Sequence, residues 1–225
     1  MGDITFLLKA IPTAFAALLP VINPIGTAVI LLGLTSQADS ATHRRIARGV
    51  AINAVILLLV VLVAGRLFLA LFGISVPIVQ LAGGAVIAGM GWSMLFQPDA
   101  SAEAKAQDSP SGDHGDYSGS IFYPFTFPLT IGPGSIAVAL TLSAHTSRGH
   151  LLETAMAQFG AAVGVVAAAF VTYLCLANAD RLARRLGPSG LSVLMRLSAF
   201  IVVCLGVEIA WSGLKTLAPS LGAAG

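Results

Sequence analysis

Apolar residues run along this chain in stretches of about 20, the length that crosses a hydrocarbon core of about 30 Å, with short polar segments between them. The stretches cover Ile4 to Thr35, Ile46 to Phe72, Val76 to Phe96, Ile121 to Ala144, Thr154 to Leu176 and Leu191 to Leu214, which predicts six transmembrane helices. Drawn as one helix, the first stretch would be about 48 Å long at about 1.5 Å per residue, longer than the core is thick. A break between Pro20 and Gly26 resolves the excess. With Asp3 and no basic residue before Ile4, and an apolar run that outlasts a signal core, this stretch is expected to stay in the mature protein.

A similar break returns in the second half of the chain. Pro20-Val-Ile-Asn-Pro-Ile-Gly-Thr27 aligns without gaps on Pro128-Leu-Thr-Ile-Gly-Pro-Gly-Ser135, and Leu32, Leu34 and Thr35 continue onto Leu140, Leu142 and Ser143. The expected fold class is therefore an all-α membrane protein, with six transmembrane helices in two three-helix repeats whose first helices are broken. Three spans per half is an odd number, so the second copy enters the membrane reversed and the repeats are inverted. Residues 1–97 form the first repeat, 98–120 a polar linker and 121–225 the second repeat. The linker is rich in Ser, Asp and Gly and lacks periodicity, so His114 between Asp113 and Asp116 reads as part of a solvated loop.

Composition fixes the solvent. At 56% hydrophobic and 10% charged residues, with mean hydropathy +0.90, a water-soluble fold would leave too much apolar surface exposed. A net charge of +2 with scattered Lys and Arg argues against a nucleic-acid partner. Cys175 and Cys204 lie inside apolar runs and match no metal or redox spacing. No Ser-His-Asp set and no paired intramembrane carboxylates occur, so an enzyme is not expected.

One loop face collects Arg44, Arg45, Arg48, Lys105, Arg181, Arg184 and Arg185; the other has Arg148 and, near span ends, Lys9, Arg66 and Lys215. The positive-inside rule places the first set and the central loop in the cytoplasm of a cell inner membrane, with both termini outside.

The breaks concentrate the chemistry. Proline has no amide hydrogen and clashes with the preceding turn, so Pro20 and Pro24 are expected to free the carbonyls of Ala16 and Pro20, and Pro124, Pro128 and Pro133 those of Ser120, Pro124 and Leu129. Freed groups are costly in lipid and should face a cavity or the bundle interior. Polar side chains and glycines gather at the same places. The candidate substrate-binding residues are Asn23, Pro24, Gly26 and Thr27 at the first break, with Thr130, Gly132, Pro133, Gly134 and Ser135 at the second, and Thr126 beside them. Paired interrupted spans in matching places point to a transporter site near the midplane. Half-helix N-termini suit a carboxylate and freed carbonyls suit an ammonium group or sodium, so a zwitterionic solute such as a neutral amino acid fits.

Arg66 and Glu208 each lie six residues before the end of a span that reaches the same side, which makes them candidates for a charge pair, with Glu208 a candidate for ion coupling. Arg196 and Arg66 also suit snorkelling to the interface. Asn53, Gln80 and Gln158 read as hydrogen-bond links between helices; Gly160, Gly164 and Ala168, and Gly83, Gly84, Gly89 and Gly91, read as close-packing faces. No cofactor is expected beyond Na+ or H+ as a coupling ion. The expected partners are the lipid bilayer and a small-molecule solute, and a homo-oligomer is compatible with the pattern.

Asn23-Pro-Ile-Gly26, Leu34-Thr35, His43-Arg-Arg-Ile-Ala-Arg48, Phe72-Gly-Ile-Ser75, Leu81-Ala-Gly-Gly84 and Gly132-Pro-Gly134, in this order, resemble the MarC family of integral membrane proteins. The resemblance covers nearly the whole chain outside the central loop and tail. It implies a six-span inner-membrane protein, grouped with neutral amino-acid transporters and distantly with lysine-exporter-type folds. A secondary transporter is the reading that follows; a non-transporting membrane scaffold or accessory protein is the alternative, and a membrane-embedded enzyme a weaker one.

Overall fold

The computed structural model describes residues 2–35, 38–96, 117–145 and 151–222. Most of the polar linker, with Asp113, His114 and Asp116, lies outside the described residues, as does Arg148. The elements are α1 (Gly2–Ile22), α2 (Pro24–Leu34), α3 (Ser40–Leu71), α4 (Val76–Leu95), α5 (Ile121–Thr130), α6 (Pro133–His145), α7 (Leu151–Ala177) and α8 (Ala179–Gly222), and no strand occurs among the described residues. Among the described residues five stretches are long and apolar enough to cross a membrane: Leu7–Leu34, Ser40–Gly65, Val76–Leu95, Leu152–Ala177 and Ser189–Ala218. The fourth predicted span, expected to be broken, is a bent pair, Ser118–Thr130 and Pro133–Ala144, which meet at 73°.

Local chemistry explains where these helices start and stop. Asp39 accepts a hydrogen bond from the Thr42 amide at 3.0 Å and caps α3. Its bonding to Thr42, side chain first, holds the carboxyl below its ordinary value, so this cap is in place at neutral pH and is lost as pH falls through that lowered value. Pro24 and Pro133 begin α2 and α6, where a missing amide hydrogen costs nothing. Gly187, at φ 63° and ψ 174°, separates the basic first turns of α8 from its spanning part.

Two pairs dominate the packing, α1 with α7 and α4 with α8, while α3 lies against α7, α6 and α5. Lipid offers no hydrophobic drive between helices, so backbones approach where side chains vanish. A Cβ on Gly164 would fall 2.6 Å from the Ile11 carbonyl oxygen of α1, and one on Gly160 2.9 Å from that of Leu7. Across the other pair, a Cβ on Gly84 would fall 2.6 Å from the Gly206 carbonyl, and one on Gly206 2.7 Å from that of Gly84. Gly91 and Gly213 meet backbone in the same way, and Gly83 meets the Ala137 side chain of α6. The expected packing role of these glycines holds except at Gly89, which faces open space. Ala14, Leu18, Ile22, Leu58, Ile87, Ile131 and Val165 share one buried core. Near the arginine-rich end, Leu31, Ile46, Val50, Phe125 and Leu176 form a second.

The α4–α8 contact gives a direct test. Gly206→Ala is expected to destabilise the protein by about 1–3 kcal/mol, because the new methyl meets rigid backbone, and this would be read as a lower melting temperature in detergent. Gly89→Ala should leave that temperature unchanged or slightly raised. Equal losses in the two variants would remove the interface as the cause.

Candidate functional site

Asn23 is the hinge of the first break. It sits at φ 48° and ψ 65°, a left-handed conformation that Asn tolerates better than most residues, and its Oδ1 accepts a hydrogen bond from the Gly26 amide at 3.3 Å. A side chain on Gly26 would collide with the Asn23 amide group. The Thr27 hydroxyl donates to the Ile22 carbonyl oxygen at 3.1 Å, bridging the break five residues back.

At the second break the residues before two prolines, Tyr123 and Phe127, have extended backbone, as the proline ring demands of its predecessor. The segment is accordingly wide, with the Ile131 amide donating to the Thr126 carbonyl at 2.8 Å. Threonine repairs this backbone too: Thr126 and Thr130 donate to the carbonyls of Ile121 and Phe125, each at 2.7 Å. Asn53 of α3 donates to the Thr126 hydroxyl at 3.5 Å, a link between helices of the kind expected of it. The carbonyls that take these hydroxyls, of Ile22, Ile121 and Phe125, differ from the ones that proline spacing alone singled out.

The two breaks lie side by side. A Cβ on Gly134 would fall 3.1 Å from Val21, just before the first break, and 3.3 Å from both Ile87 and Met90 of α4. Ile22 and Ile131, which precede the two restarting helices, belong to the same buried core. Asn23, Pro24, Gly26, Thr27, Thr130, Gly132, Gly134 and Ser135 are all buried, whereas Pro133 is exposed. These eight residues are thus enclosed within the bundle. The Ser135 hydroxyl, on a residue 1% exposed at the start of α6, has no hydrogen-bond partner among the described residues.

Glu208 is exposed on α8, which packs chiefly on α4. Arg66 belongs to α3, and its side chain lies outside the described residues. Among the described residues no group of three His, Cys, Asp or Glu could hold a metal.

One polar cluster was not singled out in the sequence. His43 is buried at the start of α3; its Nε2 donates to the Leu176 carbonyl of α7 at 2.9 Å and its Nδ1 lies 3.0 Å from the Thr35 hydroxyl at the end of α2. Within the motif His43-Arg-Arg it reads as one more basic surface residue, and only the contact with Leu176 reveals its role as a tie between three helix ends.

The left-handed hinge makes a graded prediction. Asn23→Gly keeps the backbone and loses only the cap, a cost of a few tenths of a kcal/mol, whereas Asn23→Ala also strains the backbone and should cost about 2 kcal/mol. Equal melting temperatures for the two variants would show that the hinge conformation is not required.

Comparison with known proteins places this geometry. Residues 8–218 match the model of the MarC family integral membrane proteins. The inner membrane protein MarC of Salmonella paratyphi A is 30% identical over 209 residues, covering 92% of this chain and 95% of the relative. The Escherichia coli and Citrobacter koseri proteins of the same name are 28% and 29% identical over the same shares. No solved structure matches. With both breaks inside the matched region, the chain belongs to the MarC family and is an integral inner-membrane protein.

Proposed function

We propose that this protein is a secondary transporter that binds a small zwitterionic solute, such as a neutral amino acid, where the two breaks meet, with Na+ or H+ as the coupling ion. The observation that carries the reading is the buried Ser135 hydroxyl, without a partner among the described residues. A buried polar group left unmatched costs about 1–3 kcal/mol, and a ligand group that matched it would recover that cost. Around it, the N-termini of α2 and α6 carry partial positive charge, suited to a carboxylate. We read the burial of these residues as an occluded state, in which a bound solute would be shielded from water.

The inverted-repeat arrangement belongs to the same reading. Exchanging the halves turns α1–α2 into α5–α6, α3 into α7 and α4 into α8. The contact of α1–α2 with α7 then becomes that of α5–α6 with α3, and the pairs α3–α7 and α4–α8 map onto themselves; all of these contacts occur. Both termini outside and the central loop in the cytoplasm follow from the arginines at the α2–α3 and α7–α8 connections.

Ser135→Ala separates binding from folding. Removing an unmatched hydroxyl should leave the melting temperature unchanged or raised, while uptake of labelled neutral amino acids into proteoliposomes, driven by a sodium or proton gradient, should fall roughly tenfold or more. Wild-type vesicles that take up no more than empty ones would overturn the transporter reading and favour the scaffold.

A further inference from the structure

We infer that the arginine-rich end of the bundle is a binding site for a phospholipid bearing two phosphates, a cardiolipin. A polar cavity of 230 Å³ opens there between the start of α3 and the α7–α8 turn, lined by Ser40, Arg44, Asn178, Asp180, Arg181 and Arg184. Three guanidinium groups set against the one carboxylate of Asp180 leave it a net charge of +2, which matches two phosphate monoanions. Guanidinium groups take phosphate oxygens in pairs, so the residue type suits the headgroup as well as the charge does.

Two apolar grooves lie along different faces of α7 near this cavity, and each has arginine in its lining. One, of 560 Å³, runs between α3 and α7 under Arg48, with Val55 and Phe170 among its walls. The other, of 430 Å³, runs along α7 under Arg181 and Arg185, with Leu174 in its wall, and shares Asn178 and Arg181 with the cavity. Arg44 lines the cavity and Arg48 the first groove, and the two are one helical turn apart on α3, so the openings are neighbours. A soluble anion would use the cavity and leave both grooves bare. A lipid with a single phosphate would use one groove. Two phosphates joined by a short link, with acyl chains on either side, account for the cavity and the two grooves together. Arginines placed only to set membrane orientation need to reach the interface and have no need to converge on one cavity. The inference is independent of the solute proposed for the breaks.

Native mass spectrometry of the purified full-length protein, titrated with cardiolipin, phosphatidylglycerol and inorganic pyrophosphate, tests it. Cardiolipin is expected to bind more tightly than phosphatidylglycerol at equal phosphate, and pyrophosphate to bind weakly. Arg181→Gln and Arg184→Gln should each weaken cardiolipin about fivefold, the loss of one headgroup cation. Val55→Trp leaves every charge in place and fills the α3–α7 groove, so it should weaken cardiolipin without changing pyrophosphate; it keeps the test decisive if an arginine variant fails to insert. Equal binding of phosphatidylglycerol or pyrophosphate, or cardiolipin binding unchanged in all three variants, would overturn the inference.

Discussion

A backbone carbonyl or amide in hydrocarbon has no water to turn to, and the two helix breaks of this protein answer to that constraint. Each break in a spanning helix releases main-chain groups, at a cost of several kcal/mol for each one left unmet. The repair is local. Thr27, Thr126 and Thr130 each donate to a carbonyl five residues back, and Asn23 accepts from the Gly26 amide. These side chains stand at the breaks first as stand-ins for the missing helical bonds. Their oxygens keep lone pairs free to accept from a guest, so repair and recognition are compatible uses of one residue.

The same constraint explains why the glycines are spent on helix faces. With the backbone satisfied inside each helix, association rests on close approach, and glycines on α7, α4 and α8 let main chains meet directly at Ile11, Gly84 and Gly206. Such contacts resist sliding, because the atoms that would have to move are backbone on both sides. The α1–α7 and α4–α8 pairs are therefore the stiff parts of the molecule, and the breaks lie between them.

Much of this was legible in the sequence because the breaks carry their own chemistry. The gapless alignment pairs Asn23 with Ile131 and Gly26 with Gly134, and the structure restarts its helices at Pro24 and Pro133, one position apart in that register. The unequal shapes of the two breaks were not legible. Two further prolines, Pro124 and Pro128, force the preceding residues into extended backbone and open α5 into a wide turn, whereas Asn23 absorbs the first break in a single left-handed residue. Proline spacing names which amides are missing, but which carbonyls find a hydroxyl depends on rotamers and on the width of the turn. Burial of His43 was illegible for a related reason, since its partners Thr35 and Leu176 come from separate helices.

If solute reaches the breaks, the geometry specifies what has to give way. Gly134 is closed in by Val21 on one side and by Ile87 and Met90 on the other. Val21 belongs to α1, held to α7 by backbone contact, and Ile87 and Met90 belong to α4, held to α8 in the same manner. Opening within either pair would separate main chains that now touch, while opening between the pairs would part contacts that have a side chain on at least one side, such as those of Ile87 and Met90 with Gly134, and methionine is the most compliant of these. The less costly motion is therefore a rocking of α4–α8 against the rest, which would uncover the second break before the first.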